Sequence, residues 1–595
     1  MTLHENMLPG KKSPQPSSNT IPNGADRNVL LRRTAWLVPV LFALFCSSSA
    51  LQNLRAGDDD LLIFHNAKAK SMDFLWENLT GDYFYTDLPT SIGYYRPAPK
   101  VGYQLQFAIF GYDETGYHAV SIAWFVIAVF FAYALLLELG TPLALAALAA
   151  TFFATHPAQA MPVGVITAQS DVMVVAGILA SFYGYLRWAA TDQRVWMVAT
   201  LFAYAFALAS KETAVVVWVF AFLFEFVQAN SNLRQLNYKR LGWFLLPVTG
   251  YAIVRLGVDV MPLTSSYEEQ MTSDSLIAAG VILFQSIVKA LFSIWTPTMS
   301  SQRPPSDLAH MLLWTLPLFL GIVATGWAFL RRSRFQWALA LLLIPLLPAL
   351  SPAVRIHLAD TIVSSERWIL LPALGAGLLW ATIAWVVIRP LWPRPVTLVM
   401  FMLAFVPLTL QGWVTRAEVG SFRTEADKHI FLAEHIKKGG GPLSPVQRQV
   451  VALAELMQAK RDRPTSPETW NRAALIYGRI LDRDPHNFTH RYLLGEALFH
   501  QGKYVDALYH LLISYFGVDP KTKKKLPLSD SLGRHRPARS FLIAQIYEKL
   551  GDKKEALYFF QQTLRFDPTH DEAKQRLVAL VSAEAGTRSR DKRRP

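Results

Sequence analysis

Ionisable residues are sparse along the first two thirds of this chain, and they fall into short motifs that could move a proton or hold an anion. Gly57-Asp58-Asp59-Asp60 comes first, directly after an apolar run. Three adjacent carboxylates repel one another and are poorly solvated beside an apolar surface. Such a group makes a base of one member or holds a cation. The plain alternative is a solvated boundary with no role. Gly93-Tyr94-Tyr95-Arg96-Pro97 follows. Its arginine can fork onto a phosphate and its tyrosine pair suits an apolar–water boundary, although an aromatic belt with a snorkelling arginine has the same composition.

Further motifs stand at the ends of apolar runs. His156-Pro157 closes one, and Asp171 opens the next after Thr167-Ala168-Gln169-Ser170. An acid at a helix start is often only a cap. Ser210-Lys211-Glu212 is a tight turn whose Lys and Glu could pair with each other. Arg255 lies near the end of a run, and Glu366-Arg367-Trp368 opens another. Ionisable groups at membrane depth are costly and usually face a cavity. Together these motifs put acids and bases on one face of one bundle.

The elements that must hold them are apolar helices. Of 595 residues, 52% are apolar and 17% charged, against about 25% charged in soluble domains. The deficit runs from Arg32 to Val414; after Arg416 the composition becomes that of a soluble domain. A crossing needs about 20 apolar residues, and segments beginning near Thr34, Tyr117, Pro142, Ser170, Val195, Thr213, Leu241, Leu308, Phe335, Arg367 and Val396 predict about eleven. The first lacks a small-residue cleavage site and is expected to be retained. The Arg and Lys clusters at Arg32–Arg33, Arg187–Arg194, Arg234–Arg240, Arg331–Arg334 and Arg389–Arg394 alternate between these runs, and the positive-inside rule then makes the N-terminus cytoplasmic. Residues 276–295, with Gln285 and Lys289, fit an amphipathic or re-entrant segment on the outer side. An odd number of crossings puts the C-terminal part outside the cytoplasm. The net charge of +14 belongs to this orientation signal, so nucleic acid is not expected as a partner. The single cysteine, Cys46, permits no intrachain disulfide and no cysteine metal site.

After the bundle a tetratricopeptide (TPR) frame recurs with a period of about 34 residues. Gly495, Gly502, Ala507 and Pro520 form one unit; Ala544, Tyr547, Gly551, Ala556, Phe560 and Pro568 form the next, with a basic insertion at residues 521–535. A degenerate earlier unit carries Ala473 and Pro485. About three helix pairs would stack into a short solenoid, serving as a structural cap or as a concave surface for a peptide or protein. The expected organisation is all-α: residues 1–30 disordered, 31–415 a polytopic membrane bundle with a large outer loop at 55–116, 416–445 a linker, 446–582 the TPR domain, and 583–595 a basic disordered tail.

The ordered set Asp58-Asp59-Asp60, Asn66, Tyr94-Tyr95-Arg96-Pro97, Phe110-Gly111, Gly116-Tyr117-His118, His156-Pro157, Asp171, Ser210-Lys211-Glu212 and Glu366-Arg367-Trp368, followed by helical repeats, resembles the transmembrane-and-TPR glycosyltransferases. These belong to the GT-C superfamily, with protein O-mannosyltransferases as relatives. The chain departs from them at Gln159 and Met161, where a second His and a Glu are usual, at Gln169-Ser170 in place of Gly-Arg, and at Trp368 in place of Tyr. The resemblance implies transfer of mannose or a related hexose from a polyprenyl-phosphate carrier to a hydroxyl outside the cytoplasm, with Ser or Thr of a protein as the expected acceptor. It implies that one of Asp58, Asp59 and Asp60 is the base of an inverting displacement. Tyr95, Arg96, His156, Asp171, Lys211, Arg255, Glu366 and Arg367 are then expected to bind substrate, the basic ones through phosphate. No metal ligand is assigned; the aspartate triplet could take Mg2+ or Mn2+, although protein O-mannosyltransferase relatives do without. A bacterial inner membrane is the expected location, or the endoplasmic reticulum membrane in a eukaryote. The alternatives are a non-enzymatic scaffold whose repeats recruit partners, a GT-C enzyme acting on a lipid or glycan, and a transporter. A transporter usually carries internal repeat symmetry, which this sequence lacks.

Overall fold

The computed structural model describes residues 34–56, 59–64, 66–83, 94–257, 283–292 apart from 285, 299–302, 308–350, 362–365, 368–390, 394–423, 433, 445–462, 466–483, 488–517, 536–566 and 570–591. Asp58, Glu366 and Arg367 lie outside them, as do residues 1–30 and the 521–535 insertion.

The bundle begins with α1 (Leu37–Ser47), which runs on as a 3-10 turn, Ser48–Gln52. Short helical turns follow in the first loop, then α2 (Pro97–Phe110), α3 (Glu114–Glu138), α4 (Leu143–Thr155), α5 (Gln169–Thr191), α6 (Arg194–Ser210), α7 (Val216–Gln228) and α8 (Leu245–Gly257). After them come α9 (Leu308–Leu330), α10 (Gln336–Leu343), α11 (Leu370–Ile388), α12 (Arg394–Leu403) and α13 (Phe405–Gly420). One antiparallel ribbon interrupts the all-α expectation: β1 (Met299–Gln302) pairs with β2 (Ile362–Ser365), Met299 opposite Ser365.

Helices in an apolar solvent gain nothing from hiding apolar surface, so close backbone approach through small residues holds them together. Alanine-rich α4 is the hub, packed against α1, α3, α11 and α13. Gly375 on α11 lies so near α10 that a methyl group there would sit 2.2 Å from the Leu342 nitrogen. Gly177 on α5 plays the same part against Ala207 on α6. Phe125, Phe153, Phe182 and Phe220 fill the centre and are fully buried.

The expectation of eleven crossings is not met among the described residues. Three helices are long and apolar enough to cross a membrane: Glu114–Glu138, Ile166–Thr191 and Leu370–Ile388. A fourth counts if Leu143–Thr155 and Pro157–Gly164, bent by 49° at His156, are one crossing. Leu37–Gln52, Arg194–Ser210, Phe319–Leu330 and Gln336–Leu347 are apolar but shorter. The segments expected from Thr213, Leu241 and Val396 break up: α7 and α8 have 13 residues each, and α12 stops after 10. Hydropathy adds up apolar residues without registering where a turn interrupts the helix.

The first and last helices of the bundle run parallel. The Phe45 ring meets the edge of Trp413 at 5.0 Å. Higher up, Arg416 Nη1 donates to the Phe45 carbonyl at 2.7 Å and also to Ser48 Oγ, while Ser49 Oγ donates to the Arg416 carbonyl at 2.7 Å. At the top the Leu54 amide donates to the Arg423 carbonyl at 3.0 Å.

The C-terminal part is a stack of helix pairs: α14 (Pro445–Asp462) with α15 (Pro467–Arg483), α16 (Phe488–His500) with α17 (Tyr504–Phe516), and α18 (Arg536–Leu550) with α19 (Lys553–Phe566), closed by α20 (Asp571–Asp591). This last helix runs to Asp591, through the start of the tail expected to be disordered from 583. Gly502 and Gly551 make equivalent turns inside the second and third pairs at φ of 76° and 82°, a backbone conformation that glycine reaches without steric cost. Ala507, Leu511, Ile543, Ala556 and Phe560 form the core of those pairs.

Candidate functional site

The first loop is fastened at its root. Asn53 Nδ2 donates to the carbonyls of Gly164 at 3.0 Å and Val419 at 2.9 Å. Asp59 is fully buried, and its two oxygens accept the main-chain amides of Ala56 at 2.9 Å and Thr167 at 2.8 Å. This carboxylate therefore ties the loop to the turn that precedes α5. Asp60 opens a π-helical turn, Asp60–Phe64.

Thr167 is also the meeting point of two tyrosines. Tyr103 and Tyr83 both donate to its carbonyl, at 3.0 and 3.3 Å, and their hydroxyls lie 3.3 Å apart. Burial pushes the Tyr103 hydroxyl well above the ordinary tyrosine range, and the nearby Asp59 and Asp171 carboxylates add to the effect. The stretch just before Tyr83 is held by Lys100. That buried ammonium donates to the carbonyls of Glu77, Gly81 and Asp82 at 3.3, 3.1 and 2.9 Å. Burial brings Lys100 down to about 8.

Arg96 stands just before Pro97 and Pro99, which preset the first turn of α2. Its guanidinium lies 4.4 Å from the Tyr94 ring centre and 5.4 Å from that of Tyr83. It forks onto Glu212: Nε donates at 3.0 Å and Nη2 at 2.7 Å. Burial disfavours both charges, yet each stabilises the other. Arg96 stays above its ordinary value, and Glu212 is held down to about 2, with Lys211 contributing.

Lys211 and Glu212 do not pair with each other, as adjacency in sequence allowed. Lys211 has an extended backbone (φ −165°, ψ 140°) at the end of α6, and Glu212 opens the 3-10 turn Glu212–Val215. The change of backbone direction sends the two side chains apart. Lys211 pairs with Asp171, in the first turn of α5, and both side chains are buried. Tyr251 on α8 completes the cluster. Its hydroxyl donates to the Tyr95 carbonyl at 3.0 Å, the two rings are 5.4 Å apart, and Arg255 sits beside that hydroxyl. Burial, with Tyr251 alongside, raises Tyr95 to about 12.

The structure thus gathers Asp59, Tyr95, Arg96, Asp171, Lys211 and Arg255 from five places in the sequence. His156 belongs elsewhere. Its Nδ1 accepts the Ala158 amide at 3.0 Å, capping the turn Pro157–Gln159, and its ring lies by Phe152 and the carbonyls of Lys289 and Ala290. Close by, an apolar cavity of about 420 Å3 is bounded by Phe152, Leu291, Gly377, Trp380, Pro407 and Gln411, among others. Among the described residues no three His, Cys, Asp or Glu side chains come together as a metal site. Sequence reasoning missed Tyr83, Tyr103, Tyr251, Lys100 and the separate role of Glu212. Only Glu212 carried a signal, as a charge next to Lys211 between two apolar runs.

Residues 469–515, most of α15 with α16 and most of α17, match the tetratricopeptide repeat family. No curated protein matches the chain. The C-terminal stack is therefore a tetratricopeptide repeat region at this stretch, in line with the 34-residue frame.

Proposed function

We propose that the chain is a membrane glycosyltransferase of GT-C type, moving mannose or a related hexose from a polyprenyl-phosphate carrier to a hydroxyl of an extracytoplasmic acceptor. One observation carries the reading: two opposed charge pairs, Arg96–Glu212 and Lys211–Asp171, stand side by side among buried tyrosines. Charges at such depth are costly and usually mark a working site. Arg96, Lys211 and Arg255 supply the positive charge that a departing phosphate needs.

In the proposed reaction the acceptor hydroxyl oxygen attacks the anomeric carbon. The bond from that carbon to the phosphate oxygen breaks, and the polyprenyl phosphate leaves as an anion. The hydroxyl proton passes to a first-loop aspartate acting as general base. Asp59 already accepts two amides, so the reading assigns the base to Asp58 or Asp60. One base and a direct displacement invert the sugar centre. The apolar cavity near α4, α11 and α13 suits a hydrocarbon chain. The parallel pairing of α1 and α13 supports a first loop and a repeat region on one side of the membrane, with the N-terminus cytoplasmic. A bacterial inner membrane fits, or an endoplasmic reticulum membrane. The repeats would then present a protein or peptide acceptor.

The test is incubation of the purified protein with polyprenyl-phosphate mannose labelled in the sugar, followed by identification of the labelled product. Transfer to a hydroxyl, lost in Arg96→Gln and Lys211→Met, supports the reading. The matched tetratricopeptide repeat also favours a second reading, a membrane scaffold that recruits partners through its solenoid. That reading predicts partner capture unchanged by either substitution and no transfer of label.

A further inference from the structure

The cation best placed for a phosphate is already occupied, and its occupant is unequally held. The Arg96 side chain is 11% exposed, whereas that of its partner Glu212 is 42% exposed. The neighbouring pair differs: Lys211 is 11% exposed and Asp171 only 3%. Arg96 is fixed by the Tyr94 and Tyr83 rings and by the proline-led start of α2. Glu212 reaches it from the first residue of a short turn, on a flexible two-carbon arm with one edge in solvent. A carboxylate and a phosphate present the same pair of oxygens to an arginine fork.

We propose that Glu212 is a built-in stand-in for the phosphate anion, and that an incoming phosphate group displaces its carboxylate from Arg96. This rests on the reading of the cluster as a phosphate-holding site. The exchange leaves Arg96 compensated throughout, so no bare charge is stranded at depth. The freed carboxylate turns to water, the only member of the two pairs with a substantial exposed edge. Lys211, next to it in the chain and already acting on its charge, remains paired with Asp171 beside the new anion. The device keeps the site neutral when empty and sets a threshold that weak anions do not pass.

The shared chemistry is a phosphate oxygen pair, which a lipid headgroup or free phosphate could supply. The full chain, purified in detergent, is titrated calorimetrically with farnesyl phosphate in one arm and inorganic phosphate in the other. Removing an internal competitor is expected to tighten farnesyl phosphate binding about tenfold in Glu212→Gln and about threefold in Glu212→Asp, whose shorter arm cannot span both guanidinium nitrogens. Arg96→Lys is expected to weaken binding, since an ammonium cannot fork. Glu212→Asp serves if Glu212→Gln does not fold, and a merely structural Glu212 would leave affinity unchanged or lower it in either variant. Equal or weaker binding by a folded Glu212 variant overturns the inference while wild-type binding preserves the phosphate-site reading. Tightening seen with inorganic phosphate alone supports the exchange and removes the lipid as the source. No binding of either ligand by wild type or variants overturns both.

Discussion

The Leu54 amide donates to the Arg423 carbonyl at 3.0 Å, so the last helix of the bundle ends where the first loop begins. Below that contact, Ser49 with Arg416 and Phe45 with Trp413 continue the same register. Two helices paired in parallel deliver the chain to the same end of the bundle, whatever number of elements lies between them.

The proposed sidedness is tested through this pairing. In a Cys46→Ser background, cysteines replacing Trp76 in the first loop and Leu475 in the repeats, 74% and 55% exposed, should react with a membrane-impermeant maleimide added from one and the same side. Labelling of the two positions from opposite sides would sink the arrangement.

Asp59→Asn should act on stability first. Asparagine keeps one acceptor but turns an amide NH2 toward either the Ala56 or the Thr167 amide, leaving a buried donor unsatisfied. The expected loss is about 1–3 kcal/mol, seen as a lower unfolding midpoint. In the proposed reaction, Asp58→Asn or Asp60→Asn should abolish transfer without that loss of stability. Full activity in all three single variants would remove the aspartate base from the mechanism.

The Arg96–Glu212 pair has a defined pH dependence. Arg96 holds the Glu212 carboxyl at about 2, below its ordinary 4.5. The unfolded chain therefore binds the proton first as acid is added. The stabilisation is fully present above pH 4.5 and is lost as pH falls through the folded value near 2. Thermal unfolding of wild type and Glu212→Gln should differ above pH 4.5 and converge toward pH 2. A gap that stays constant over that range would mean the carboxylate does not titrate with the fold.

Gly375→Ala should be poorly tolerated for its size. The added methyl group would meet the Leu342 nitrogen at 2.2 Å, and backbone cannot swing aside as a side chain can. Overpacking of this kind costs about 1–3 kcal/mol, readable as a lower unfolding midpoint and a loss of monodisperse protein on gel filtration. Gly250→Ala, where nothing lies within 4 Å, is the matched control and should leave both unchanged.

By itself the sequence determined the division into an apolar bundle and a repeat region, because composition and a 34-residue period are local, additive properties. It also marked Arg96, Asp171, Lys211 and Arg255, since a charge in an apolar run is conspicuous without knowledge of its neighbours. The number of uninterrupted crossings was decided by tertiary structure. Hydropathy is silent on the breaks near Phe244 and Ala404; the bend at His156 had a local signal in Pro157, which disfavours a helical residue before it. The pairing of the charges was decided there too. Lys211 and Glu212 are neighbours in sequence yet serve different partners, because one backbone turn aims them at Asp171 on α5 and Arg96 before α2, segments that only the packed bundle brings together.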